Sequence, residues 1–486
     1  MTPGCHSSSF SQVFHHAYTG STRLASVCMT GADLIVVSNR GPLAFVVDPS
    51  GNPVPATPSG GLAGSLRSVL AGRGATWVFA LRGEPDRIAS EAGMMATDGI
   101  VLAGVDVDPT DYAMAYDVVA NATLWPLHHH LFDLARRPLL DARWRQAWEA
   151  YRSYQEVLAE EVALRAARGA TVLVHDYHLA LLPGILARLR PDLPVVHFTH
   201  TPFAEPGVFR ALGGDAAVEL LEGMAGARAC GFHAERWRAA FVACCEDAAV
   251  EPCRSFVSPL VPDAEQLAER SETEACRQAR RTIEESLTGR RLLVRVDRLE
   301  PSKNILRGFW AFDELLAHRP DLRSTVTMLA LTYASRQNLP EYIAYRSEVE
   351  QAADRLNARW SAGDWVPVVL DIGDDPGRSY AALGCYDVLL VNPVRDGLNL
   401  VAKEGPLLNR SDGVLVLSRE AGAFDELAEA SLGINPFDVS ATAEAMATAL
   451  DMSPSERSRR ALVLRKLAAG RTPGAWLDDQ LSAARG

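Results

Sequence analysis

The sequence predicts an α/β protein built from two doubly wound parallel sheets, one in each half of the chain. Short apolar runs rich in β-branched residues alternate with segments of helical periodicity through both halves. The chain has 486 residues, which exceeds the length at which a single core usually keeps growing and therefore favours two domains. A stretch rich in Ser, Pro and Val at residues 255–262 marks the boundary between them.

The predicted strands of the first half are apolar and end at polar or turn-forming residues. They are Leu34–Ser38, Trp77–Ala80, Thr171–Asp176 and Pro194–His200. Helical spacing over Leu179–Leu189 separates the last two strands. Because a helical crossover joins parallel rather than antiparallel strands, this alternation indicates a parallel sheet.

The second half repeats the alternation. Its predicted strands are Leu292–Val296, Ser324–Tyr333, Val366–Leu370, Tyr386–Val391, Val414–Ser418 and a last short strand at Ile434–Phe437. A helix is predicted over Pro340–Trp360, and further helices are predicted from Ala441 to the C-terminus. No internal repeat of fixed period stands out, which argues against a solenoid.

These patterns divide the chain into four predicted segments. Residues 1–30 are polar and mixed, and we expect a disordered N-terminal tail there. Residues 31–260 and 261–455 are predicted to be the N-terminal and C-terminal Rossmann-like domains. Residues 456–486 are predicted to form C-terminal helices that pack back toward the N-terminal domain.

Composition argues against several classes of protein. The formal net charge of -12 argues against general binding to nucleic acid or anionic membranes. No apolar run approaches ~20 residues, and residues 1–28 lack the pattern of a signal peptide. The eight cysteines show no metal-ligand spacing, which is typical of thiols in a reducing cytosol. We therefore expect a cytoplasmic protein without a metal site. The sequence does not decide whether the chain forms a homo-oligomer.

The stretch Asp387–Glu404 predicts a strand, a turn and a helix. Gly397 in the turn is free to take a positive φ, and helical spacing begins at Asn399. Unpaired N–H groups at a helix N-terminus suit phosphate, and carboxylates such as Asp396 and Glu404 accept hydrogen bonds from sugar hydroxyls. The stretch predicts one wall of a ligand site, although many strand–turn–helix units of α/β proteins share its outline.

Other candidate residues also follow predicted strands. Arg298 and Lys303 lie at a strand-to-helix junction, where an arginine fork and a lysine point charge could hold a diphosphate. In the first half, Arg40, Asp176 and His200 lie at the carboxyl ends of strands. Open α/β sheets bind their ligands at that edge, so a cleft between two such edges is the predicted site.

The order of these motifs resembles that of the trehalose-6-phosphate synthases, which are retaining glycosyltransferases of GT-B fold. The resemblance covers about residue 33 to about residue 450. It is carried by the motifs Ser38-Asn-Arg40, Gly60-Gly-Leu62, Leu124-Trp-Pro126, His175-Asp-Tyr-His-Leu179, His200-Thr-Pro-Phe203, Arg298 with Ser302-Lys303-Asn304, and Arg395-Asp-Gly-Leu-Asn-Leu-Val-Ala-Lys-Glu404.

The resemblance implies a role for each candidate residue. The diphosphate and ribose of a UDP-glucose or GDP-glucose donor would be held by Arg298, Lys303, Leu400, Val401 and Glu404. The donor glucose would be held by Asp396, Gly397, Asn399 and His200. The acceptor, glucose 6-phosphate, would be bound by Arg40, Gly61, Tyr116, Trp125, Asp176 and Arg336. The catalytic residues would be Arg298, Lys303, Asp176 and His200, with no cofactor and no metal ion.

By this resemblance the chain would transfer glucose with retention of configuration and form α,α-trehalose 6-phosphate. Two departures from the family pattern stand out. The family often has a second tryptophan after Trp77, where this chain has Val-Phe-Ala-Leu, and the segment Ala204–Phe209 keeps its length but differs in composition. Alternatives are a related synthase with glycerol 3-phosphate or a cyclitol phosphate as acceptor, and a non-catalytic sugar-phosphate sensor.

Overall fold

The computed structural model of the chain describes residues 31–56, 61–336 and 339–486. The predicted N-terminal tail and Gly60 lie outside these residues. The strands of the first half are β1 (Ala32–Val37), β2 (Ala44–Val47), β3 (Pro53–Ala56), β4 (Thr76–Ala80), β5 (Ala96–Thr97), β6 (Ile100–Val105), β7 (Ala166–His175), β8 (Val195–Thr199), β9 (Ala229–Phe232) and β10 (Arg254–Val257). The strands of the second half are β11 (Arg291–Leu299), β12 (Val326–Ala334), β13 (Val368–Ile372), β14 (Val388–Val391), β15 (Val414–Ser418) and β16 (Leu432–Ile434).

Two sheets confirm the predicted doubly wound α/β fold. The first sheet has the order β10-β9-β8-β7-β1-β4-β6-β5, and its pairings are parallel except that of β5 with β6. The second sheet has the order β13-β12-β11-β14-β15-β16 and is parallel throughout. The strands β2 and β3 form a separate antiparallel hairpin.

Helices connect the strands of both sheets. Those of the first half are α1 (Gly61–Leu70), α2 (Glu84–Glu91), α3 (Pro109–Ala113), α4 (Trp125–His128), α5 (Ala142–Arg165), α6 (Leu182–Leu189), α7 (Pro206–Phe209), α8 (Gly214–Ala225) and α9 (Glu235–Asp247), with a π-helical segment at Met114–Leu124. Those of the second half are α10 (Ala264–Ser271), α11 (Glu274–Leu287), α12 (Ile305–His318), α13 (Pro340–Trp360), α14 (Pro376–Cys385), α15 (Val401–Leu408), α16 (Phe424–Leu427), α17 (Val439–Asp451), α18 (Pro454–Ala468) and α19 (Pro473–Arg485).

The strand order of each sheet contains one switch point. In the first sheet the chain builds outward from β1 on one side and from β7 on the other, so the switch lies between these two strands. In the second sheet it lies between β11 and β14. Connections leave a switch point in opposite directions, and the crevice that this opens at the carboxyl ends of the strands is where such sheets bind ligands. The fold alone therefore selects the residues that follow β1, β7, β11 and β14.

The core is continuous between the two halves of the chain. One buried apolar cluster contains Val36 and Phe198 of the first sheet, Leu389 of the second sheet and Trp476 of α19. The Trp476 ring, which is fully buried, lies 5.2 Å from the Phe198 ring and 5.9 Å from the His200 ring. The C-terminal helix thus packs on the first sheet behind its ligand-binding edge. No helix among the described residues is long and apolar enough to cross a bilayer.

Replacing Trp476 by alanine should destabilise the protein strongly. The change removes a fully buried ring that joins α19 to the first sheet, and losses of this kind cost about 3–5 kcal/mol. Chemical denaturation of Trp476→Ala should show this loss, whereas Leu462→Ala on α18, where the leucine is 67% exposed, should unfold like the unmodified chain. Equal midpoints for the two variants would contradict the role given to α19.

Candidate active site

The two halves meet at a backbone contact between the loop after β14 and the residue that follows β8. Gly397 lies so close to the carbonyl oxygen of His200 that an added Cβ would overlap it. On its other side, the carbonyl of Gly397 lies where a Cβ on Gly422 would be, and it accepts a hydrogen bond from the Trp237 indole N–H at 3.0 Å. Only glycine fits at position 397, so this turn brings the candidate donor loop against the first sheet.

Lys303 and Asp396 form an ion pair at the switch point of the second sheet. Lys303 follows β11 and Asp396 follows β14, and these strands are neighbours, so their carboxyl ends are adjacent. The Lys303 ammonium lies 2.5 Å from the Asp396 carboxylate, and both side chains are mostly buried. Burial lowers the pKa of Lys303, but the carboxylates of Asp396 and Glu300 outweigh it and keep that pKa above its usual value. Lys303 is therefore a permanent cation.

Arg298 lies near the carboxyl end of β11, shortly before Lys303, and is exposed. Arg298 pairs in register with Tyr333 of β12. Among the described residues no carboxylate forms an ion pair with it at salt-bridge distance. Arg298 is therefore a cation available to a ligand, which is what the sequence predicts for one half of a diphosphate site.

The N-terminus of α15 provides backbone donors beside these cations. Asn399 takes a positive φ of 80°, and its side-chain oxygen accepts the Ala402 N–H at 3.2 Å. The N–H groups of Leu400 and Val401, at the start of the helix, have no hydrogen-bond acceptor among the described residues. One turn later, burial raises the pKa of Glu404 to about 7. The start of α15 thus combines unbonded backbone N–H groups with the Glu404 carboxyl group, whose neutral form burial favours.

Three histidines form a hydrogen-bonded chain behind the Gly397 contact. The Leu260 N–H lies 3.2 Å from Nδ1 of His233, Nε2 of His233 lies 3.0 Å from Nδ1 of His200, and Nε2 of His200 lies 3.2 Å from Nδ1 of His175. Because a backbone amide can only donate, His233 must carry its proton on Nε2, and the same argument assigns Nε2–H to His200. Burial lowers the pKa of all three rings, so the chain is neutral.

This chain decides what His200 offers to the cleft. Both of its ring nitrogens are engaged by His175 and His233, while its carbonyl oxygen faces Gly397. The predicted contact of His200 with a donor sugar thus involves the carbonyl more readily than the ring. The sequence identified His200 by its place at a strand end, but it had no signal for the chain of imidazoles.

Asp176 occupies the switch point of the first sheet. It has a positive φ of 75°, a strained conformation for aspartate, and its carboxylate accepts the His200 N–H at 3.2 Å. Burial raises the pKa of Asp176 to about 6, although bonds from the backbone N–H groups of His200, Tyr177 and Thr201 oppose this shift. The carboxylate is held in place by backbone donors, as a group that accepts a sugar hydroxyl must be.

The candidate acceptor residues lie on the elements around β1. Arg40, which follows β1, donates to the Tyr116 hydroxyl at 2.7 Å, and Tyr116 stacks between the rings of Tyr112 and His178. Tyr116 belongs to the π-helical segment, a rare conformation that recurs at functional sites. Gly61 begins α1, which follows the β2–β3 hairpin. The structure thus brings Arg40 and Tyr116 together although they are 76 residues apart.

Arg336 lies between the two halves of the chain with its guanidinium fully engaged. It donates to Asn121 at 2.8 Å, to Glu300 at 2.6 Å, to Tyr342 at 3.0 Å and to Tyr177 at 3.4 Å. It also stacks over Trp125, with the guanidinium carbon 4.6 Å from the ring centre. The predicted acceptor residues Trp125 and Arg336 are thus in contact, and Arg336 joins the halves of the chain.

Several residues that the structure adds to the site were given no role by the sequence analysis. Glu300 holds Arg336, and although burial raises its pKa, the charges of Arg336, Lys303 and Arg298 bring that pKa down to about 2. Arg395 spans the halves of the chain, 2.6 Å from Glu205, and stacks over Trp237. The sequence offered only indirect signals for two of them. Arg395 directly precedes the candidate residue Asp396, and Glu205 lies in the segment Ala204–Phe209, whose composition departs from the family pattern.

A nucleotide-activated sugar suits these groups better than a metal ion does. Among the described residues no group of three or more His, Cys, Asp or Glu side chains has a metal-binding arrangement. The cleft instead offers two cations, helix N–H groups and spaced carboxylates, which match a diphosphate and sugar hydroxyls. Two doubly wound α/β domains that meet at such a cleft have the arrangement of the GT-B fold, and the groups of the cleft suit a glycosyltransferase that uses a nucleotide sugar.

Comparison with known proteins identifies the family. The sequence model of glycosyltransferase family 20 matches residues 32–485, and the chain belongs to that family. It is 34% identical over 462 residues to a trehalose-6-phosphate synthase of Mycobacterium sp. (strain JLS), covering 90% of this chain and 92% of that protein. It is 33% identical to a bifunctional trehalose-6-phosphate synthase/phosphatase of Thermoproteus tenax, of which it covers 60%.

Solved structures give the same picture. The chain matches an alpha,alpha-trehalose-phosphate synthase (UDP-forming) from Burkholderia xenovorans in complex with glucose-6-phosphate, with a TM-score of 0.81 and 28% identity over 93% of this chain and 100% of that one. A structure from E. coli bound with UDP-2-fluoro glucose gives the same TM-score of 0.81 at 26% identity, over 93% and 98% of the two chains.

The raised pKa of Glu404 predicts a pH dependence of stability. An acid whose pKa is higher in the folded state binds more protons there, so the folding free energy that it contributes is lost as pH rises from about 4.5 to about 7. Replacing Glu404 by glutamine should remove this part of the pH dependence, so the variant should lose less stability over that range.

Denaturant unfolding at several pH values measures the effect. The variant Glu160→Gln, which changes an exposed glutamate on α5, serves as the control and should follow the unmodified chain. A Glu404→Gln profile parallel to that of the control would show that Glu404 titrates normally.

Proposed function

We propose that this chain transfers glucose, with retention of anomeric configuration, from UDP-glucose or GDP-glucose to glucose 6-phosphate. The product is α,α-trehalose 6-phosphate. The observation that carries the proposal is the contact of Gly397 with His200, which sets Lys303, Asp396 and the start of α15 directly opposite the edge that carries Asp176. The names of the relatives and of the ligand-bound structures support the same reaction.

The donor is assigned to the second half of the chain. Arg298, Lys303 and the free N–H groups of Leu400 and Val401 would hold the diphosphate. Glu404, a half-buried carboxyl group in the first turn of α15, would accept a ribose hydroxyl. Asp396, fixed by Lys303 and by the Asn399 amide at 3.2 Å, would accept hydroxyls of the glucose. Asp396 is therefore held by two donors, as a sugar-orienting group should be.

The acceptor is assigned mainly to the first half of the chain. Arg40 and Tyr116 would meet the phosphate, and Trp125, supported by Arg336, would pack against the sugar ring. Asp176 would accept acceptor or donor hydroxyls near the bond that forms. Because donor and acceptor residues come from different halves of the chain, the cleft between the halves would enclose both substrates. This excludes water, which would otherwise hydrolyse the donor.

The chemical step would rest on charge stabilisation. As the glycosidic bond to the diphosphate breaks, negative charge grows on the departing oxygen, and the cations Arg298 and Lys303 stabilise it. The departing phosphate oxygen would take the proton of the acceptor hydroxyl on the same face of the sugar, which retains the configuration. The carbonyl of His200 lies beside Gly397, where its partial negative charge would stabilise positive charge developing on the sugar.

Loss of either cation should reduce catalysis far more than loss of a surface charge. We expect Lys303→Ala and Arg298→Ala each to lower kcat/KM by at least about 100-fold, the size typical of removing a donor that stabilises developing charge. The matched controls are Lys466→Ala on α18 and Arg168→Ala near the amino end of β7, because both side chains are exposed. Steady-state kinetics would reject the diphosphate assignment if Lys303→Ala behaved like Lys466→Ala.

Product analysis tests the reaction as a whole. The purified chain is given glucose 6-phosphate with UDP-glucose or, separately, GDP-glucose, and products are identified by mass spectrometry and by the anomeric signals in NMR. We expect a disaccharide phosphate whose single glycosidic linkage joins two α anomeric carbons, and release of the matching nucleoside diphosphate. A chelator added throughout should not change the rate, since the two cations take the place of a metal ion. No disaccharide phosphate from either donor would overturn the proposal.

A further inference from the structure

A pocket of about 350 Å³ opens beside the acceptor residues, at the carboxyl ends of β4 and β6. The residues that line it include Arg82, Arg87, Tyr112, Tyr116 and Asp117. Tyr116 is shared with the proposed acceptor site, but Arg82, Arg87, Tyr112 and Asp117 have no assigned role. The pocket therefore adjoins the proposed acceptor site at Tyr116.

The two arginines of this pocket differ in availability. Arg87 is paired with Asp106 at 2.7 Å, so its charge is offset. Arg82 is exposed, and only its backbone N–H is bound, by Asp86 at 3.0 Å. Its guanidinium forms no hydrogen bond or ion pair with any described residue. Arg82 is thus an unpaired cation at the mouth of a pocket, with all of its donors free.

Arg40 approaches the same group of aromatic rings from the other side. It donates to the Tyr116 hydroxyl at 2.7 Å, and Tyr116 lies stacked on Tyr112 with ring centres 5.5 Å apart. The Tyr112 hydroxyl donates to Asn39, the residue before Arg40, at 3.3 Å. Burial raises the pKa of Tyr112 to about 12, while the charges of Arg82 and Arg40 both oppose that shift.

Arg336 does not provide an equivalent free cation. Its guanidinium is already bonded to Glu300, Asn121, Tyr342 and Tyr177, and its charge is offset by Glu300 at 2.6 Å. A phosphate monoester carries close to two negative charges and is best held by more than one arginine. The free arginines beside Tyr116 are Arg40 and Arg82.

We propose that Arg82 is a phosphate-binding residue of the acceptor site, which holds a phosphate monoester between its guanidinium and that of Arg40 against the Tyr112–Tyr116 stack. This inference rests on the proposed function for the identity of the acceptor, glucose 6-phosphate, but the subsite itself is defined by its charge. The pocket beyond the phosphate gives room for a sugar phosphate to enter with its charged end first. Arg82 therefore sets the preference for phosphorylated over neutral acceptors.

The test compares Arg82→Ala with Arg168→Ala. The second variant removes an exposed guanidinium near the amino end of β7, whereas Arg82 follows the carboxyl end of β4. Binding of glucose 6-phosphate and of inorganic phosphate is measured by calorimetry, and kinetics are measured with glucose 6-phosphate and with glucose as acceptors. Loss of one arginine from a phosphate is expected to weaken binding by about 10- to 100-fold. Arg82→Ala should therefore raise the acceptor KM by that factor and leave the donor KM within about two-fold.

Two further results separate this inference from the proposed function. The preference for glucose 6-phosphate over glucose should fall in Arg82→Ala by the same factor as phosphate binding, and Arg82→Lys should restore part of both. Unchanged affinity for inorganic phosphate and an unchanged acceptor KM in Arg82→Ala would overturn the subsite while leaving the reaction intact. If the unmodified chain binds phosphate through Arg82 but forms no disaccharide phosphate, the subsite stands and the proposed function fails.

Discussion

The close approach of Gly397 to the His200 carbonyl is the constraint on which the site depends. No side chain fits between the two backbones, so the loop after β14 and the end of β8 lie in direct contact. This contact holds the residues on the two sides in fixed relative positions. Asp396 and the start of α15 lie on one side, and Asp176 lies on the other. The Trp237 indole, which bonds the Gly397 carbonyl, holds the turn in that position.

Charge is distributed around this contact in a consistent way. Behind it, the imidazoles of His175, His200 and His233 are neutral and pass hydrogen bonds in one direction from the Leu260 N–H. Leu260 also bonds the other half of the chain, since its carbonyl accepts the buried Lys403 ammonium at 3.0 Å. In front of it lie the cations that a diphosphate needs. A neutral chain beside a cationic site avoids the cost of burying further positive charge.

Two arginines join the halves of the chain outside the contact. Arg395 pairs with Glu205, and Arg336 pairs with Glu300, so each link brings its own carboxylate. Around the proposed substrate sites, Arg298, Arg40 and Arg82 are cations without a carboxylate partner among the residues that the structure describes. The distinction matters because an arginine already bonded on several sides orients its neighbours, whereas a free one binds an anion.

The sequence by itself determined the doubly wound fold and most residues at its ligand-binding edges. Apolar runs and helical periods predict parallel strands, and polar residues directly after those strands, such as Asp176, Lys303 and Asp396, necessarily lie at one edge. Only the tertiary structure decided which of them touch and which are free. Arg40 meets Tyr116, Arg336 is engaged by four neighbours, and the His200 ring is bonded to two histidines. These facts depend on packing between distant segments, for which periodicity carries no information, because hydrogen-bond partners are set by the final positions of side chains in space.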